Sequence, residues 1–280
     1  MQLAIVSGKG GTGKTSIVAC FSALAKNKVL ADCDVDAPNL HLILEPEIKY
    51  KEEFIGSKKA AIIPDKCISC GKCKEYCRFD AVVFDERYRI DEVICEGCGV
   101  CVYVCPANAI EFKENISGHL FVSDSKYGKL VHARLKVGEE NSGKLVEKVR
   151  RKAKELGENI IIDGPPGIGC PVIASLSGVD KALIVTEPTF SGLHDLKRVL
   201  KLVEHFKLDA FVCINKYDIN PEVAKEIEEY CRAMKIKVIG KIPYDEKVTE
   251  AMVNGKAIVE YDTEAKASKE IRKIFSSLTL

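Results

Sequence analysis

The strongest constraint on the fold is a glycine-rich loop between a predicted strand and a predicted helix. Residues 8–15 read Gly-Lys-Gly-Gly-Thr-Gly-Lys-Thr and match G-x-x-x-x-G-K-[ST] at every fixed position. The apolar run Leu3–Ser7 precedes the loop, and Thr15–Lys26 follows it with apolar residues at helical spacing. In such a loop, backbone N–H groups and a helix N-terminus bind phosphate, and glycine lets the backbone come close. The motif therefore predicts a nucleotide-binding α/β domain.

The side chains of this loop have distinct predicted roles. Lys14 is expected to reach the β- and γ-phosphates of the nucleotide, and Thr15 to bind Mg2+. The predicted nucleotide-binding set in the loop is Gly8, Gly10, Gly11, Thr12, Gly13, Lys14, Thr15 and Ser16.

Predicted strands and helices alternate in the second half of the chain. Strands are expected at 159–163, 181–186, 210–215 and 238–242, and helices at 142–155, 193–206, 221–234 and 264–278. Solidly apolar strands that alternate with helices indicate a mostly parallel sheet covered by helices on both faces.

Eight of the thirteen cysteines lie between Cys67 and Cys105, and they repeat one spacing twice. Both runs read C-x2-C-x2-C-x3-C, a spacing typical of iron–sulfur ligation in which the fourth cysteine of each run binds the other cluster. Zinc is the alternative, although structural zinc usually pairs C-x2-C units across longer gaps. The predicted ligands are Cys67, Cys70, Cys73 and Cys105 for one 4Fe-4S centre, and Cys77, Cys95, Cys98 and Cys101 for a second.

The cysteine-rich segment is predicted to interrupt the α/β domain rather than to follow it. From about residue 61 to 113 the sequence has dense cysteine, short β segments and no long helix, and it resembles a small α+β bacterial-type ferredoxin. The sequence therefore predicts a discontinuous P-loop domain at 1–60 and 114–280, with a two-cluster ferredoxin inserted at 61–113.

Net charge, apolar segments and cysteine content indicate which partners and which cellular compartment to expect. A net charge of +1 gives no long-range attraction to nucleic acid or to an anionic membrane. No segment approaches the ~20 apolar residues of a membrane span, and the first residues lack the sections of a signal peptide. Thirteen cysteines without a secretory signal favour metal ligation in a reducing cytoplasm. We therefore expect a cytoplasmic protein without a nucleic-acid partner or stable membrane insertion.

A second lysine, Lys9, gives the loop the form K-G-G-x-G-K-[ST]. With this loop the chain resembles the deviant-Walker ATPases, which include the Min-system cell-division ATPase, the Par partition ATPases, the Mrp-type iron–sulfur carriers and the nitrogenase iron protein. The resemblance implies a nucleotide-sandwich homodimer in which Lys9 contacts the phosphates of the other protomer. It also implies that Asp34 positions the attacking water and that Asp163 lies near Mg2+. Lys9, Lys14, Asp34 and Asp163 form the predicted catalytic set.

With the cysteine runs included, the chain is similar to Min-type P-loop ATPases that contain an inserted ferredoxin domain. This resemblance implies that switch II includes Gly164, Pro165, Pro166 and Gly167. Segments 130–135 and 138–144 are also typical of that group, and the sequence alone gives them no physical role.

The identity of the base rests on Asn215-Lys216-Tyr217-Asp218, which fits the N-K-x-D pattern that binds guanine through its carboxylate. The resemblance implies instead that Asn215 binds adenine, and that Lys216, Pro243 and Asp245 complete the nucleotide site. ATP, with ADP as product, is therefore favoured over GTP. Asp218 is alternatively a turn residue.

Cys170 follows Asp163 by seven residues. The nitrogenase iron protein has one of its two cluster-binding cysteines at about this place, but this sequence shows no counterpart of the second. Cys170 is therefore a candidate redox or metal residue, with a structural role as the alternative.

The function predicted from these features is a Mg2+-dependent ATPase that controls electron transfer through two 4Fe-4S clusters to a partner protein. Such control is plausible because γ-phosphate contacts order switch segments and hydrolysis releases them. The first alternative is an Mrp-type carrier that delivers clusters to an apo iron–sulfur acceptor. The second is a spatial organiser like the Min or Par ATPases.

Overall fold

The computed structural model describes residues 1–278, which divide into two compact units. The first unit contains Met1–Glu52, Leu120–Arg134 and the chain from Ser142 onward. The second contains Glu53–His119 and Leu135–Asn141. The predicted insertion at 61–113 falls within the second unit, which also takes in flanking residues on both sides and a short later segment.

The described residues form eleven strands and eleven α-helices. The strands are β1 Gln2–Ser7, β2 Val29–Asp32, β3 Glu47–Ile62, β4 Val82–Asp85, β5 Arg87–Ile90, β6 Ile110–Ser125, β7 Gly128–Leu135, β8 Ile160–Pro166, β9 Lys181–Thr186, β10 Asp209–Asn215 and β11 Lys237–Ile242. The helices are α1 Lys14–Leu24, α2 Leu40–Leu44, α3 Lys72–Glu75, α4 Val100–Val104, α5 Ser142–Leu156, α6 Cys170–Leu176, α7 Phe190–His205, α8 Pro221–Ala233, α9 Glu246–Val253, α10 Ile258–Tyr261 and α11 Lys266–Leu278.

The first unit is built on a mostly parallel sheet flanked by helices, as the sequence predicts. The order of the large sheet is β11-β10-β9-β1-β8-β2-β7-β6-β3, and all recorded pairs from β11 through to β7 are parallel. The central strand β1 buries Leu3, Ala4 and Ile5 completely. Side chains on both faces of this strand are apolar because helices cover both faces of a parallel sheet. The carboxyl ends of β1, β2, β8 and β10 consequently lie along one edge of the sheet.

Several elements of the large sheet and of the first unit were not predicted. The long strand β3 has lysine and glutamate at most of its first seven positions, so it lacks an apolar strand pattern, and it lies at the sheet edge. Charged side chains at an edge oppose pairing with other chains. The short helices α2, α6, α9 and α10 were also missed, because segments of four to eight residues carry little periodicity.

The second unit repeats one local structure. Helices α3 and α4 each begin after a glycine of the cysteine runs, Gly71 with φ +77° and Gly99 with φ +81°. The antiparallel pair β4–β5 lies between them in the chain. A small buried cluster that includes Ala60, Ala81 and Ile110 forms the core of this unit. As predicted, this part of the chain has no long helix.

Among residues 1–278 no helix has the length and apolar character that crossing a membrane requires.

A buried histidine on β7 should make stability depend on pH. The Nε2 atom of His132 lies 3.0 Å from Ser123 Oγ, and its ring stacks on Phe121 with 5.0 Å between centroids. Burial, with a smaller contribution from His41, lowers the pKa of His132 to about 4 from its ordinary value of 6.5.

Because the folded pKa is depressed, the unfolded chain takes up a proton below pH 6.5 that the folded chain does not. We expect the free energy of unfolding to be unaffected by His132 above pH 6.5 and to fall by about 3 kcal/mol as the pH drops to 4. In denaturant melts across this pH range, the free energy of unfolding should fall less steeply with acid for His132→Gln than for the wild type. Exposed His205→Gln is the control, and equal slopes for wild type and His132→Gln would contradict the assignment.

Candidate functional site

A cavity of about 960 Å³ lies in the first unit at the carboxyl edge of the sheet. The glycine-rich loop from Gly10 to Ser16, Asp34, the pair Pro165 and Pro166, and Asn215 all contribute to its lining. Ligands of α/β sheets bind in this position, outside the carboxyl ends of the strands. Most of the predicted loop, Asp34, two residues of the predicted switch II and Asn215 therefore meet at one cavity.

The loop needs glycine at Gly13 for two reasons. Gly13 has φ +86°, and a Cβ atom there would lie 2.3 Å from Asn215 Nδ2. That amide instead donates a 2.8 Å hydrogen bond to Thr12 O and so fixes the loop. Gly10 and Gly11 have open space on their Cβ side. Helix α1 begins at Lys14 without a side-chain cap, which leaves its first N–H groups free for an anion.

Lys14 forms a buried ion pair with Asp163, which lies within β8. The ammonium group donates a short hydrogen bond to the Asp163 carboxylate, and the two side chains are 7% and 1% exposed. Burial alone would lower the pKa of Lys14, but Asp163 outweighs it and the pKa is raised. Lys14 is therefore held in its charged form at the base of the cavity.

Asp32 is a buried carboxyl that sequence reasoning did not assign. It is fully buried at the end of β2, opposite Asp163 on β8 in the strand register. Its Oδ1 accepts a hydrogen bond from Asp34 N at 3.1 Å, but its Oδ2 has no partner. Burial and the nearby Asp163 raise the pKa of Asp32 well above its ordinary value. The run Asp32, Asp34 and Asp36 after an apolar strand was the signal that could have identified it.

Asp34 lies on the cavity wall, where the resemblance predicted it. Burial is the main cause that raises the pKa of this carboxyl, and the charge of Lys14 opposes the increase. Asp34, Asp163 and Asp32 thus concentrate acidic groups beside one lysine, and the charge of Lys14 lowers the pKa of Asp32 and Asp34 against the effect of burial.

Lys9 is held by residues of its own chain. Its Nζ lies 2.6 Å from Glu187 Oε1 and donates a hydrogen bond of 3.1 Å to Ser191 Oγ. The other Glu187 oxygen is 3.6 Å from Lys216 Nζ, which also donates to Gly11 O at 3.3 Å. To contact the phosphates of another protomer, Lys9 would have to break its ion pair with Glu187.

Of the four residues predicted here to bind the nucleotide, two line the cavity and two do not. Asn215 and Lys216 line the cavity, whereas Pro243 and Asp245 are absent from its lining among the described residues. Asp245 caps α9 by accepting from Lys247 N at 3.1 Å. Asp218 accepts from Tyr244 N at 2.7 Å. This bond favours the turn role for Asp218.

The predicted switch II segment starts within β8 and ends before α6. A Cβ atom on Gly164 would lie 2.7 Å from Val6 Cγ1, and Gly167 has φ +94°. The exposed Cys170 is the first residue of α6, and a Cβ atom on Gly143 would lie 3.2 Å from its Cβ. Cys170 therefore lies close to the backbone of Gly143, and its redox role stays a prediction.

Two small cavities in the second unit are each lined by four cysteines. The first is lined by Cys67, Cys70, Cys73 and Cys105, and the second by Cys77, Cys95, Cys98 and Cys101. The fold thus brings together the two sets that the spacing pairs across the runs. Ala109 N donates to Cys105 Sγ at 3.3 Å and Gly97 N to Cys95 Sγ at 3.4 Å.

No group of three or more His, Cys, Asp or Glu side chains in residues 1–278 is arranged around a single metal ion. Four thiolates of one cluster bind different iron atoms, so a cluster does not require that arrangement. The four-thiol lining and the amide donors fit a cluster better than a single ion.

Comparison with known proteins gives a consistent picture. The family described as CobQ/CobB/MinD/ParA nucleotide binding domain matches residues 3–258. An uncharacterized protein of Methanocaldococcus jannaschii is 37% identical over 99% of this chain and 96% of its own length. An uncharacterized ATP-binding protein of the same organism is 30% identical over 99% of this chain and 96% of its own.

Among solved structures, the septum site-determining protein MinD of Pyrococcus horikoshii OT3, complexed with Mg-ADP, matches with a TM-score of 0.61. The match has 20% identity and covers 99% of this chain and 95% of that protein. At this identity the likeness supports the fold alone.

Proposed function

Because this chain belongs to the CobQ/CobB/MinD/ParA nucleotide-binding domain family, we propose that it is a Mg2+-dependent ATPase. The observation that carries the proposal is the cavity lined by the uncapped N-terminus of α1 and by Lys14, whose ammonium group pairs with Asp163. The relatives described as ATP-binding favour ATP over GTP. Anaerobic phosphate-release assays with ATP and GTP, with and without Mg2+, test this step.

Different residues of the cavity have different roles in the proposed hydrolysis. The free N–H groups of Gly11 and of the first turn of α1 bind the phosphates, and Lys14 exchanges Asp163 for phosphate oxygen. Thr15 and Asp163 would hold Mg2+, which offsets phosphate charge when bound. Asp34 orients the attacking water. Its raised pKa disfavours the carboxylate that this role uses, so turnover should fall on the acid side of neutrality.

The nucleotide-bound form is proposed to be a homodimer in which Lys9 reaches the other protomer. Lys9→Ala should leave the chain monomeric with a non-hydrolysable ATP analogue, whereas the wild type dimerises. Light scattering after gel filtration measures the mass. Exposed Lys273→Ala on α11 is the control and should dimerise like the wild type. A dimer of Lys9→Ala at the same nucleotide concentration would contradict the role.

We also propose that the second unit binds two 4Fe-4S clusters. The support is the pair of cavities, each with four thiols drawn from both cysteine runs and with amide donors to sulfur. Such clusters supply one-electron carriers when bound. The free thiols of these two sets are consistent with a reducing cytoplasm, where we expect the protein to act.

Electron transfer to a partner protein is the role that would use both units. The comparisons favour the Min-like and Par-like alternative more than electron transfer, since they name nucleotide binding, ATP binding and MinD. The two thiol-lined cavities favour electron transfer or the Mrp-type carrier, because a spatial organiser has no use for them. Cys170 remains a candidate for a separate redox role.

One set of measurements distinguishes electron transfer from cluster delivery and from spatial organisation. Iron content and EPR spectra are measured after anaerobic purification, with and without ATP and its non-hydrolysable analogue. Cluster reduction that depends on nucleotide favours electron transfer, and transfer of iron to an apo acceptor favours the carrier. Nucleotide-dependent binding to lipid vesicles by a chain without iron favours the spatial organiser.

A further inference from the structure

The two cysteine runs allow the two cavities to be compared position by position. A shift of 28 residues, from Cys67 to Cys95, superimposes one run on the other. The residue after the first cysteine is Ile68 in the first run and Glu96 in the second. Each of these residues lines the cavity of its own run. The same place in the repeat is therefore apolar at one cavity and acidic at the other.

Among the described residues, Glu96 is the one acidic or basic residue that borders either cavity, and it is exposed rather than enclosed in the cavity. The remaining lining consists of cysteine, glycine, alanine, aliphatic and aromatic residues. Each set of thiols accepts one recorded hydrogen bond from a backbone amide, to Cys105 and to Cys95 respectively. Amide donors therefore do not distinguish the two sets, whereas charge does.

Charges around the runs have the same asymmetry. The first run carries exposed Lys66, Lys72 and Lys74. Their equivalents in the second run are the apolar residues Ile94, Val100 and Val102. The first run also has Asp65 and Glu75, and its Arg78 follows Cys77, which lines the second cavity. Residues 65–78 still carry four positive and two negative side chains, whereas the equivalent residues 93–106 carry Glu96 alone, so the first run is the more positive.

We propose that Glu96 gives the centre held by Cys77, Cys95, Cys98 and Cys101 the lower reduction potential. The inference rests on the proposed binding of two clusters. Each centre accepts one electron, and a nearby carboxylate disfavours the added negative charge while nearby ammonium groups favour it. A single electron placed on the chain therefore resides at the centre held by Cys67, Cys70, Cys73 and Cys105.

The test is a redox titration followed by EPR on the full chain, purified without air. The wild type should show two separate midpoints. Glu96→Gln should raise the lower midpoint alone and change the distribution of one electron between the centres about tenfold, which is ~59 mV for a one-electron couple. Ile68→Glu should lower the higher midpoint alone. Glu96→Asp and Ile68→Gln are the matched controls and should leave the order unchanged.

Iron content distinguishes failure of this inference from failure of cluster binding. Coincident wild-type midpoints, or midpoints that Glu96→Gln does not move in a chain with full iron, would overturn the assignment to Glu96 and leave cluster binding intact. A wild-type chain without iron would overturn both.

Discussion

Lys14→Met is expected to abolish nucleotide turnover and to destabilise the protein as well. Loss of one preorganised charge at a phosphoryl group lowers turnover by at least ~100-fold. In the nucleotide-free chain, the same change leaves the Asp163 carboxylate buried without its cation. Removal of one partner of a buried ion pair costs about 3–5 kcal/mol. Phosphate-release assays and denaturant melts measure the two effects.

The double variant Lys14→Met/Asp163→Asn separates stability from catalysis. With both charges removed, we expect the free energy of unfolding to return toward that of the wild type, while turnover stays lost. A double variant as unstable as the sum of the single variants would contradict a coupled ion pair. Lys152→Met is the control, because its pair with Glu155 lies at the surface, where solvent screening leaves an ion pair little effect on stability.

Local patterns were sufficient to predict the strand, loop and helix at the start of the chain. Gly11 and Gly13 of the P-loop have positive φ, a conformation that favours glycine, and β1 is apolar because both of its faces are buried. The cysteine sets were equally predictable, because their spacing in the chain determines which thiols meet. Each of these signals lies within a few residues or repeats at a fixed distance.

The contacts that hold the site before nucleotide binds could not be predicted in this way. Lys14 and Asp163 are 149 residues apart in the chain, and Lys9 and Ser191 are 182 apart. Asp32 has its unusual environment only because β2 lies between β7 and β8. No local pattern encodes such neighbours. The sequence predicted candidate site residues, but not the partners that these residues contact in the fold.

If each centre takes ligands from both runs, the amount of iron lost by a double cysteine variant depends on which two cysteines are replaced. The full chain should contain about eight iron atoms when purified without air. Cys70 and Cys105 line the same cavity, so Cys70→Ala/Cys105→Ala should remove one centre and retain about four. Cys77 lines the other cavity, so Cys70→Ala/Cys77→Ala should remove both centres.

If each run instead ligated its own cluster, these two outcomes would be reversed. Cys70→Ala/Cys77→Ala would then retain about four iron atoms, and Cys70→Ala/Cys105→Ala would lose all of them. Iron assays on the two double variants therefore decide between the arrangements without any measurement of activity. The buried Cys213→Ala is the control because it lies on β10 in the first unit, where it packs in the core and lines neither cysteine cavity. Its iron content should equal that of the wild type, so that loss of iron in the other variants reports ligation rather than general instability.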